Sequence, residues 1–199
     1  MARKVEFEKF LLLWNKFQGI STPEHHLRIA RWLSSVDKSD SRRGLLMAFR
    51  SSGKSTIVGV FCAWLLYRNP NIRILVVAAD SVLARKMVRN VKQIIETFPL
   101  VENIRPHKKS EWASGSFTVE RSKALRDPSM MAVGLMSNAT GSRADVIICD
   151  DVEVPKNCDS FQKRQDLREK LLEYSFILVP DGMQIFIGTP HTLDTIYKI

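Results

Sequence analysis

The chain has 199 residues, 45% of them hydrophobic and 26% charged, an ordinary globular composition with enough length for one sizeable core. We expect neither a membrane protein nor a secreted precursor, since no apolar run reaches the length of a membrane span and no apolar stretch follows the first basic residues. The net charge of +9, from 30 Lys and Arg against 21 Asp and Glu, favours nucleic acid or another polyanion as a partner. A generally basic soluble enzyme is the alternative.

The three cysteines, Cys62, Cys149 and Cys158, are an odd number without the spacing of a metal site. They predict buried thiols in a reducing cytoplasm, with neither disulfides nor zinc. We expect residues 1–199 to form a single domain, with residues 1–40 as a helical segment that packs on or leads into its core.

The N-terminal 20 residues carry apolar side chains too densely for a helix with a solvated face, so this segment is expected to dock on the rest of the chain. The next helix is predicted to begin with Thr22 as its cap and Pro23 in its first turn. We expect it to run through Leu33 and to be followed by a loop over residues 34–43.

The stretch that organises the chain is residues 45–56, where an apolar run enters a Ser-Ser-Gly turn and leaves through Lys-Ser-Thr into a long apolar segment. This pattern predicts a strand, a phosphate-binding loop and a helix N-terminus, and it departs from G-x-x-x-x-G-K-[S/T] only at Ala48. Backbone N–H groups of such a turn bind phosphate. Lys54 would reach the outer phosphates and Ser55 would bind Mg²⁺. A chance Gly-Lys-Ser in a surface loop would not explain the flanking strand and helix.

Alternating strands and helices follow this loop, which is typical of an α/β fold with a mostly parallel sheet. The apolar pattern predicts helices over residues 57–66 and 82–98 and a buried strand over residues 72–79. Weaker patterns predict strands over residues 116–120 and 131–135 and a turn over residues 139–143.

A second apolar strand, beginning at Ala144, ends in the carboxylates Asp150, Asp151 and, after Val152, Glu153. The carboxyl ends of parallel strands line the crevice where open α/β sheets bind their ligands. We therefore expect Asp150 to hold Mg²⁺ through water and a second acid to orient or activate the attacking water. The alternative is a strand that simply ends in a polar turn.

The last predicted elements are a charged amphipathic helix over residues 161–176 and a strand over residues 183–188. The strand is followed by Thr189 and Pro190. A threonine hydroxyl at this place, beside the phosphates, would sense the terminal phosphate.

Four motifs, in this order, resemble those of the ATPase domain of the large terminase subunit of tailed bacteriophages, in particular of short-tailed podoviruses. They are Ala-Phe-Arg-x-x-Gly-Lys-Ser at residues 48–55, Thr-Gly-Ser-Arg-Ala-Asp at 140–145, Asp-Asp-Val-Glu at 150–153 and Gly-Thr-Pro at 188–190. The resemblance covers nearly the whole chain. It implies a RecA-like P-loop fold of the additional-strand class, in which one strand separates the phosphate-loop strand from the Asp-Asp strand.

The resemblance also implies the residues of a nucleotide site. ATP would be bound by the loop and by His26, which stands where the family has an adenine-contacting glutamine, and Mg²⁺ would be held by Ser55 and Asp150. Thr189 would couple hydrolysis to movement. The nucleotide-binding set is Arg50, Ser51, Ser52, Gly53, Lys54, Ser55, Thr56 and His26.

The catalytic residues implied by the resemblance are an acid and two arginines. Terminases commonly follow the Mg²⁺ aspartate with glutamate, whereas here Asp151 follows it and Glu153 comes two residues later. Both are candidates for the catalytic acid, and Glu153 is slightly preferred for its longer reach. Arg50 would act in its own site. Arg143 would act in trans on a neighbour's nucleotide or else form an ion pair with Asp145.

The implied function is an ATP- and Mg²⁺-dependent motor that moves double-stranded DNA into a procapsid in the host cell cytoplasm. Its partners would be the portal protein, the small terminase subunit and further copies of the chain in a ring, with no membrane involved. Complete terminases carry a nuclease domain, which we do not expect within these residues. The alternatives are a helicase-type nucleic-acid-dependent ATPase and a nucleotide-binding assembly module that does not hydrolyse ATP.

Overall fold

The computed structural model describes residues 5–106, 112–137, 139, 141–191 and 193–197. The strands of this part of the chain are β1 Arg43–Met47, β2 Ile74–Ala78, β3 Ser116–Phe117, β4 Met130–Gly134, β5 Ala144–Asp150 and β6 Leu178–Gly188. The helices are α1 Phe7–Phe17, α2 Glu24–Lys38, α3 Lys54–Arg68, α4 Ser81–Thr97, α5 Pro155–Cys158 and α6 Phe161–Ser175, with a 3₁₀ helix over Pro99–Ile104.

The strands form one sheet in the order β1-β6-β5-β2-β4-β3. Strands β1, β6, β5, β2 and β4 are mutually parallel, and the short edge strand β3 is antiparallel to β4. Strand β6 lies between the phosphate-loop strand β1 and the acid strand β5. The predicted α/β fold of the additional-strand class is therefore confirmed, and β1, β6 and β5 all end at the same edge of the sheet.

Helices cover both faces of this sheet, because alternate residues of a buried strand point to opposite sides. On one face Val76 and Ile148 pack in a core with α1, α2, α3 and α4. On the other face Val77 and Ile147 pack with α6. The central strand β2 is consequently apolar throughout, and Ile74–Ala78 is buried at every position.

The N-terminal helix α1 packs on α3. The rings of Phe7 and Phe61 lie 4.9 Å apart in an edge-to-face arrangement, which is a favourable geometry for aromatic pairs. Trp64 Nε1 donates a hydrogen bond to the Val5 carbonyl at 2.7 Å. Since Phe7 and Phe10 are both fully buried, and a fully buried side chain of this size is worth about 2 to 3 kcal/mol, α1 contributes substantially to the core.

The loop predicted over residues 34–43 is wrong in its first half, because α2 continues to Lys38. Val36 is buried in the core, and the Asp37 carboxylate accepts hydrogen bonds from Arg42 and Arg68. These tertiary contacts give the polar end of α2 a reason to stay helical. The predicted cap is also wrong, since Pro23 occupies the cap position and the Thr22 hydroxyl accepts from Asn15 Nδ2 at 2.9 Å.

The remaining predicted elements are present with shifted ends. The strand predicted over residues 116–120 contains only Ser116–Phe117. The strand predicted over residues 183–188 begins earlier, at Leu178, because the chain pairs with β5 from Ala144 onward across an irregularity in the register.

The ion pairs of Asp37 predict a pH dependence of stability. Burial raises the pKa of Asp37, but hydrogen bonds and charges from Arg68 and Arg42 outweigh it, so the pKa lies below its ordinary value of 3.8. The stabilisation is therefore present above pH 3.8 and is lost as the pH falls through the lowered pKa. Asp37→Asn should reduce the free energy of unfolding at pH 7 by about 1 to 2 kcal/mol, allowing for the partial exposure of both arginines.

Chemical denaturation at neutral and acid pH measures this effect. Asp40→Asn is the matched control, because Asp40 is exposed. An equal loss in both variants, or a deficit for Asp37→Asn that persists in acid, would contradict the assignment.

Candidate nucleotide site

The loop between β1 and α3 has the backbone of an anion site. Ser51 and Gly53 have left-handed φ values of 66° and 79°, and Gly53 is the cap residue of α3. Alternation between right- and left-handed residues turns successive N–H groups toward one point, and the unpaired N–H groups of the first helical turn add to them. The Ser52 hydroxyl is buried and has no hydrogen-bond partner among the described residues. This donor set fits a phosphate group.

Lys54 and Ser55 connect this loop to the ends of two other strands. Lys54 is 6% exposed, and its Nζ donates to Thr189 Oγ1, just after β6, at 3.2 Å. Thr189 Oγ1 in turn donates to the Ala48 carbonyl at 3.3 Å. Ser55 Oγ donates to Asp150 Oδ1, at the end of β5, at 2.8 Å. The structure thus brings together four of the residues predicted from three separate motifs.

The Asp150 carboxylate lies in an unfavourable environment for a negative charge. Burial raises the pKa of Asp150 to about 6, and the nearby Asp151 charge adds to the rise, against the hydrogen bond from Ser55 and the charge of Lys54. A cation would favour the ionised form. Hydroxyl and carboxylate oxygens suit Mg²⁺, which keeps several waters and needs few protein ligands, and no group of three or more His, Cys, Asp or Glu side chains placed to hold a metal occurs among the described residues. Ser55 and Asp150 therefore fit Mg²⁺.

Asp151 and Glu153, the two candidate acids, lie in different environments. Asp151, with a left-handed φ of 44°, lines a cavity of about 270 Å³ between α3 and α4 together with Ser55, Asp150 and, from α4, Lys86 and Asn90. Within the described part of the chain its carboxylate has no hydrogen-bond or ion-pair partner. Asp151 is thus positioned beside Ser55 and is available to a ligand.

Glu153 is fully buried, and its carboxylate binds the chain segment that follows β6. It accepts hydrogen bonds from the backbone N–H groups of His191 and Ile196, at 3.1 and 2.7 Å, and from the Thr195 hydroxyl at 2.9 Å. Its own N–H donates to the Tyr197 hydroxyl at 3.4 Å. This role of Glu153 was not predicted, because Thr195 and Tyr197 carry no motif and their proximity to Glu153 arises only on folding.

Tyr197 also packs against the last residue of β6. A Cβ atom on Gly188 would lie 2.3 to 2.5 Å from three atoms of the Tyr197 ring and hydroxyl. The tyrosine ring therefore occupies the space that a side chain at position 188 would need, and Tyr197 lies directly on the first residue of the Gly-Thr-Pro motif.

His26 contacts the phosphate loop from α2. Its Nε2 lies 2.8 Å from the position that a Cβ on Gly53 would take. Burial and the neighbouring His25 lower the pKa of His26, and a hydrogen bond to the Ser52 backbone opposes them, which favours the neutral imidazole. The structure thus places His26 beside the predicted nucleotide-binding residues.

The other predicted site residues are exposed. Arg50, Ser51 and Thr56 have solvent-accessible side chains in or next to the loop. Arg143 lies before β5, at the opposite edge of the sheet, about 20 Å from Asp150 by the rise of a seven-residue strand. Thr140, the first residue of the Thr-Gly-Ser-Arg-Ala-Asp motif, lies outside the described residues.

The alternative for Arg143, an ion pair with Asp145, is wrong. The Asp145 carboxylate accepts two hydrogen bonds from the Arg73 guanidinium, at 2.9 and 3.1 Å. Among the described residues the Arg143 guanidinium has no partner. It lines a cavity of about 620 Å³, at whose rim Met136 and Phe176 are 76% and 79% exposed.

Two further predictions concern the cysteines and membranes. Cys62, Cys149 and Cys158 are all buried free thiols. Within the ranges that the structure describes, no helix is both long and apolar enough to cross a membrane.

Comparison with known proteins identifies a curated relative. The chain is 34% identical over 198 residues to the large terminase subunit of Enterobacteria phage T3, an alignment that covers 98% of this chain and 33% of that protein. The chain therefore spans about a third of the length of this relative. No family model matches the chain. The predicted resemblance to large terminase subunits is confirmed.

Solved structures share the fold. The large terminase ATPase domain of Thermus phage P74-26 is 20% identical with a TM-score of 0.54, covering 98% of this chain and 72% of that one. A single-arginine variant of that domain gives a TM-score of 0.51 at 19% identity, covering 91% and 70% of the two chains. A variant of S. cerevisiae Dbp5 bound to Nup159, Gle1, IP6 and ADP gives 0.52 at 16% identity, covering 92% and 45%.

The close contact between Gly53 and His26 predicts the effect of a small side chain. Gly53→Ala should weaken nucleotide binding at least tenfold, because alanine is strained by about 1 to 2 kcal/mol at a left-handed φ and its Cβ would press on His26. Binding of a fluorescent ADP analogue measures the affinity, and chemical denaturation measures the stability.

Gly141→Ala is the matched control, because Gly141 also has a positive φ, of 87°, but nothing lies within 4 Å of its Cβ position. Adding His26→Ala to Gly53→Ala should recover part of the lost stability. Equal effects of the two glycine variants would mean that the His26 contact is unimportant.

Proposed function

We propose that the chain is the ATP-hydrolysing motor domain of a phage DNA-packaging terminase and drives double-stranded DNA into a procapsid. The observation that carries the proposal is the convergence of Lys54, Ser55, Asp150 and Thr189 at one edge of the sheet through direct hydrogen bonds. The similarity to the large terminase subunit of phage T3 supports it. The ATPase activity, the DNA substrate and the partners of the whole protein are part of this proposal.

ATP would bind with its phosphates in the loop of residues 50–56. The buried Ser52 hydroxyl, which has no hydrogen-bond partner among the described residues, and the left-handed Gly53 support this placement. Ser55 and Asp150 would hold Mg²⁺, which when bound neutralises charge on the phosphate oxygens. Exposed Arg50 would add a second positive charge at the loop, and His26 would fix the loop's position from α2.

Asp151 is the better supported candidate for the acid that orients the attacking water. Its carboxylate has no partner within the described ranges and lines the cavity beside Ser55, where it could accept a hydrogen bond from water. Glu153 was slightly preferred from the sequence because its side chain is longer. It is fully buried, however, and already accepts hydrogen bonds from three residues. We therefore assign the catalytic role to Asp151 and a positioning role to Glu153.

Thr189 would transmit the state of the nucleotide to the rest of the molecule. Its hydroxyl binds both Lys54 and the Ala48 carbonyl, so a phosphate that attracts Lys54 competes directly with Thr189. The segment after Thr189 is held by Glu153 next to the acid strand. A shift of Lys54 would thus be communicated to residues 191–197.

Arg143 would complete the site of a neighbouring copy. It is too far from its own Asp150 to reach that nucleotide, and its exposed surface with Met136 and Phe176 is suited to contact with another subunit. A guanidinium supplied in trans stabilises charge on the terminal phosphate in the transition state. This supports a ring of copies, assembled with the portal protein and the small subunit in the host cytoplasm.

The different environments of the two acids predict different defects. Asp151→Asn should lower kcat about 100-fold or more without changing the free energy of unfolding by more than about 0.5 kcal/mol. Glu153→Gln should instead destabilise the fold by about 2 to 3 kcal/mol, because an amide nitrogen would face hydrogen-bond donors. Phosphate release and chemical denaturation on both variants measure these effects. The opposite pattern would return the catalytic role to Glu153.

Removing Lys54 tests the proposed function. Lys54→Ala should abolish ATP hydrolysis, with or without double-stranded DNA, while the circular dichroism of the fold is retained, because the ammonium is the phosphate ligand of the loop. Wild-type turnover in this variant would refute the nucleotide site. Nucleotide binding without phosphate release by the wild-type chain, even at high protein concentration, would support the non-hydrolysing assembly module.

Mixing variants tests the action of Arg143 in trans. Arg143→Ala alone should also be inactive, but a mixture with Lys54→Ala should regain activity, since some interfaces then join an intact Lys54 site to an intact Arg143. No recovery over a range of mixing ratios and concentrations would mean that Arg143 does not act between subunits.

A further inference from the structure

The cavity between α3 and α4 is lined by a charged residue, Lys86, that has no role in the mechanism proposed above. Its walls bring Ser55 of α3, Asp150 and Asp151 after β5, and Lys86 and Asn90 of α4 around a space of about 270 Å³. A space of this size accommodates a phosphate group and water molecules. The cavity therefore adjoins the proposed magnesium ligands Ser55 and Asp150, and one of its walls is α4, a helix without a recognised motif.

The packing of α3 against α4 determines how close Lys86 lies to Ser55. Strands β1 and β2 are parallel members of the same sheet, so α3 and α4, which follow them, both begin at the nucleotide edge. The helices touch where Gly59 faces Asn90, since a Cβ on Gly59 would lie 2.4 Å from Asn90 Nδ2. One turn earlier, four residues back on each helix, stand Ser55 and Lys86. Lys86 thus lies as far along α4 as Ser55, the proposed magnesium ligand, lies along α3.

The charged groups around the cavity differ in whether they already have hydrogen-bond partners. Asp150 accepts a hydrogen bond from Ser55, whereas the Asp151 carboxylate and the Lys86 ammonium have no hydrogen-bond or ion-pair partner among the described residues. By contrast, Lys92, two turns later on α4, donates to the carbonyls of Trp112 and Ala113 at 3.1 and 2.9 Å. Lys92 thus holds a neighbouring loop, whereas no described residue occupies the Lys86 ammonium.

We propose that Lys86 is a further catalytic residue whose ammonium contacts the terminal phosphate of ATP from the α4 side, opposite Lys54. The proposal rests on the ATPase function proposed above. During hydrolysis the water oxygen forms a bond to the terminal phosphorus, and the bond from this phosphorus to the bridging oxygen breaks. The electron pair stays on ADP, and Asp151 accepts the water proton. Lys86 transfers no proton and stabilises the negative charge on the phosphate oxygens.

Substitutions of Lys86 in the chain of residues 1–199 test this role. Lys86→Gln should lower kcat for phosphate release about 100-fold, and Lys86→Arg, which keeps the charge, should retain at least about a tenth of the activity. Lys123→Gln is the matched control, because it removes the same charge from an exposed residue whose backbone contacts Asn71, before β2, at the other edge of the sheet.

A binding measurement separates a contact with the terminal phosphate from a structural effect. The affinities for ADP and for a non-hydrolysable triphosphate analogue are compared by calorimetry. Lys86→Gln should leave ADP affinity and Tm as in Lys123→Gln but reduce the preference for the triphosphate about tenfold. A parallel loss of ADP affinity and Tm, or equal behaviour of the two lysine variants, would overturn the proposal.

The binding measurement also keeps this proposal distinguishable from the proposed function. If the wild-type chain binds the triphosphate but does not hydrolyse it, the ATPase function fails, and the assignment of Lys86 to catalysis fails with it. If the wild-type chain hydrolyses ATP and Lys86→Gln does so equally well, only the role of Lys86 is refuted.

Discussion

The hydrogen bond from Ser55 to Asp150 joins two elements that are not neighbours in the sheet. Strand β6 lies between β1 and β5, and neighbouring strands are about 4.8 Å apart, so the phosphate loop and the acid strand are separated by about 10 Å at their ends. The first turn of α3 crosses this gap. Thr189, at the end of the intervening strand, consequently lies under that turn, where it meets Lys54. The three-strand arrangement thus determines which side chains surround the proposed phosphate site.

The two acids after β5, Asp151 and Glu153, carry the same chemical group in different surroundings. Val152, between them, is fully buried and fixes the chain so that Asp151 faces the cavity and Glu153 faces the protein interior. A buried carboxylate requires several donors to be tolerated, and Glu153 obtains them from the segment after β6. The hydrogen bonds that offset the burial of the Glu153 carboxylate therefore also hold this segment next to the site. Asp151 has no such donors in the part of the chain that the structure describes, and its carboxylate faces the cavity.

The fold and the centre of the site could be predicted from the sequence because both are encoded locally. The apolar strand, the Ser-Ser-Gly turn and the following Lys54 and Ser55 lie within a dozen residues, and Asp150 directly follows the apolar run of residues 146–149. The helical end of α2 could not be predicted, because Asp37 is stabilised by Arg68, which is thirty-one residues away in the sequence. For the same reason the partners of Glu153 were missed, since they lie about forty residues further along the chain.

Gly188 shows a different reason for glycine in a motif. Its backbone is not among the positive-φ positions, so the backbone conformation at the end of β6 does not by itself require glycine. What excludes a side chain is the Tyr197 ring, which occupies the Cβ position and whose hydroxyl accepts from the Glu153 N–H. The absence of a side chain at Gly188 thus lets the Tyr197 ring, nine positions later, pack directly on the backbone of β6. This contact joins the end of β6 to the chain that follows it. Gly188 therefore helps to determine the direction in which that segment leaves the sheet.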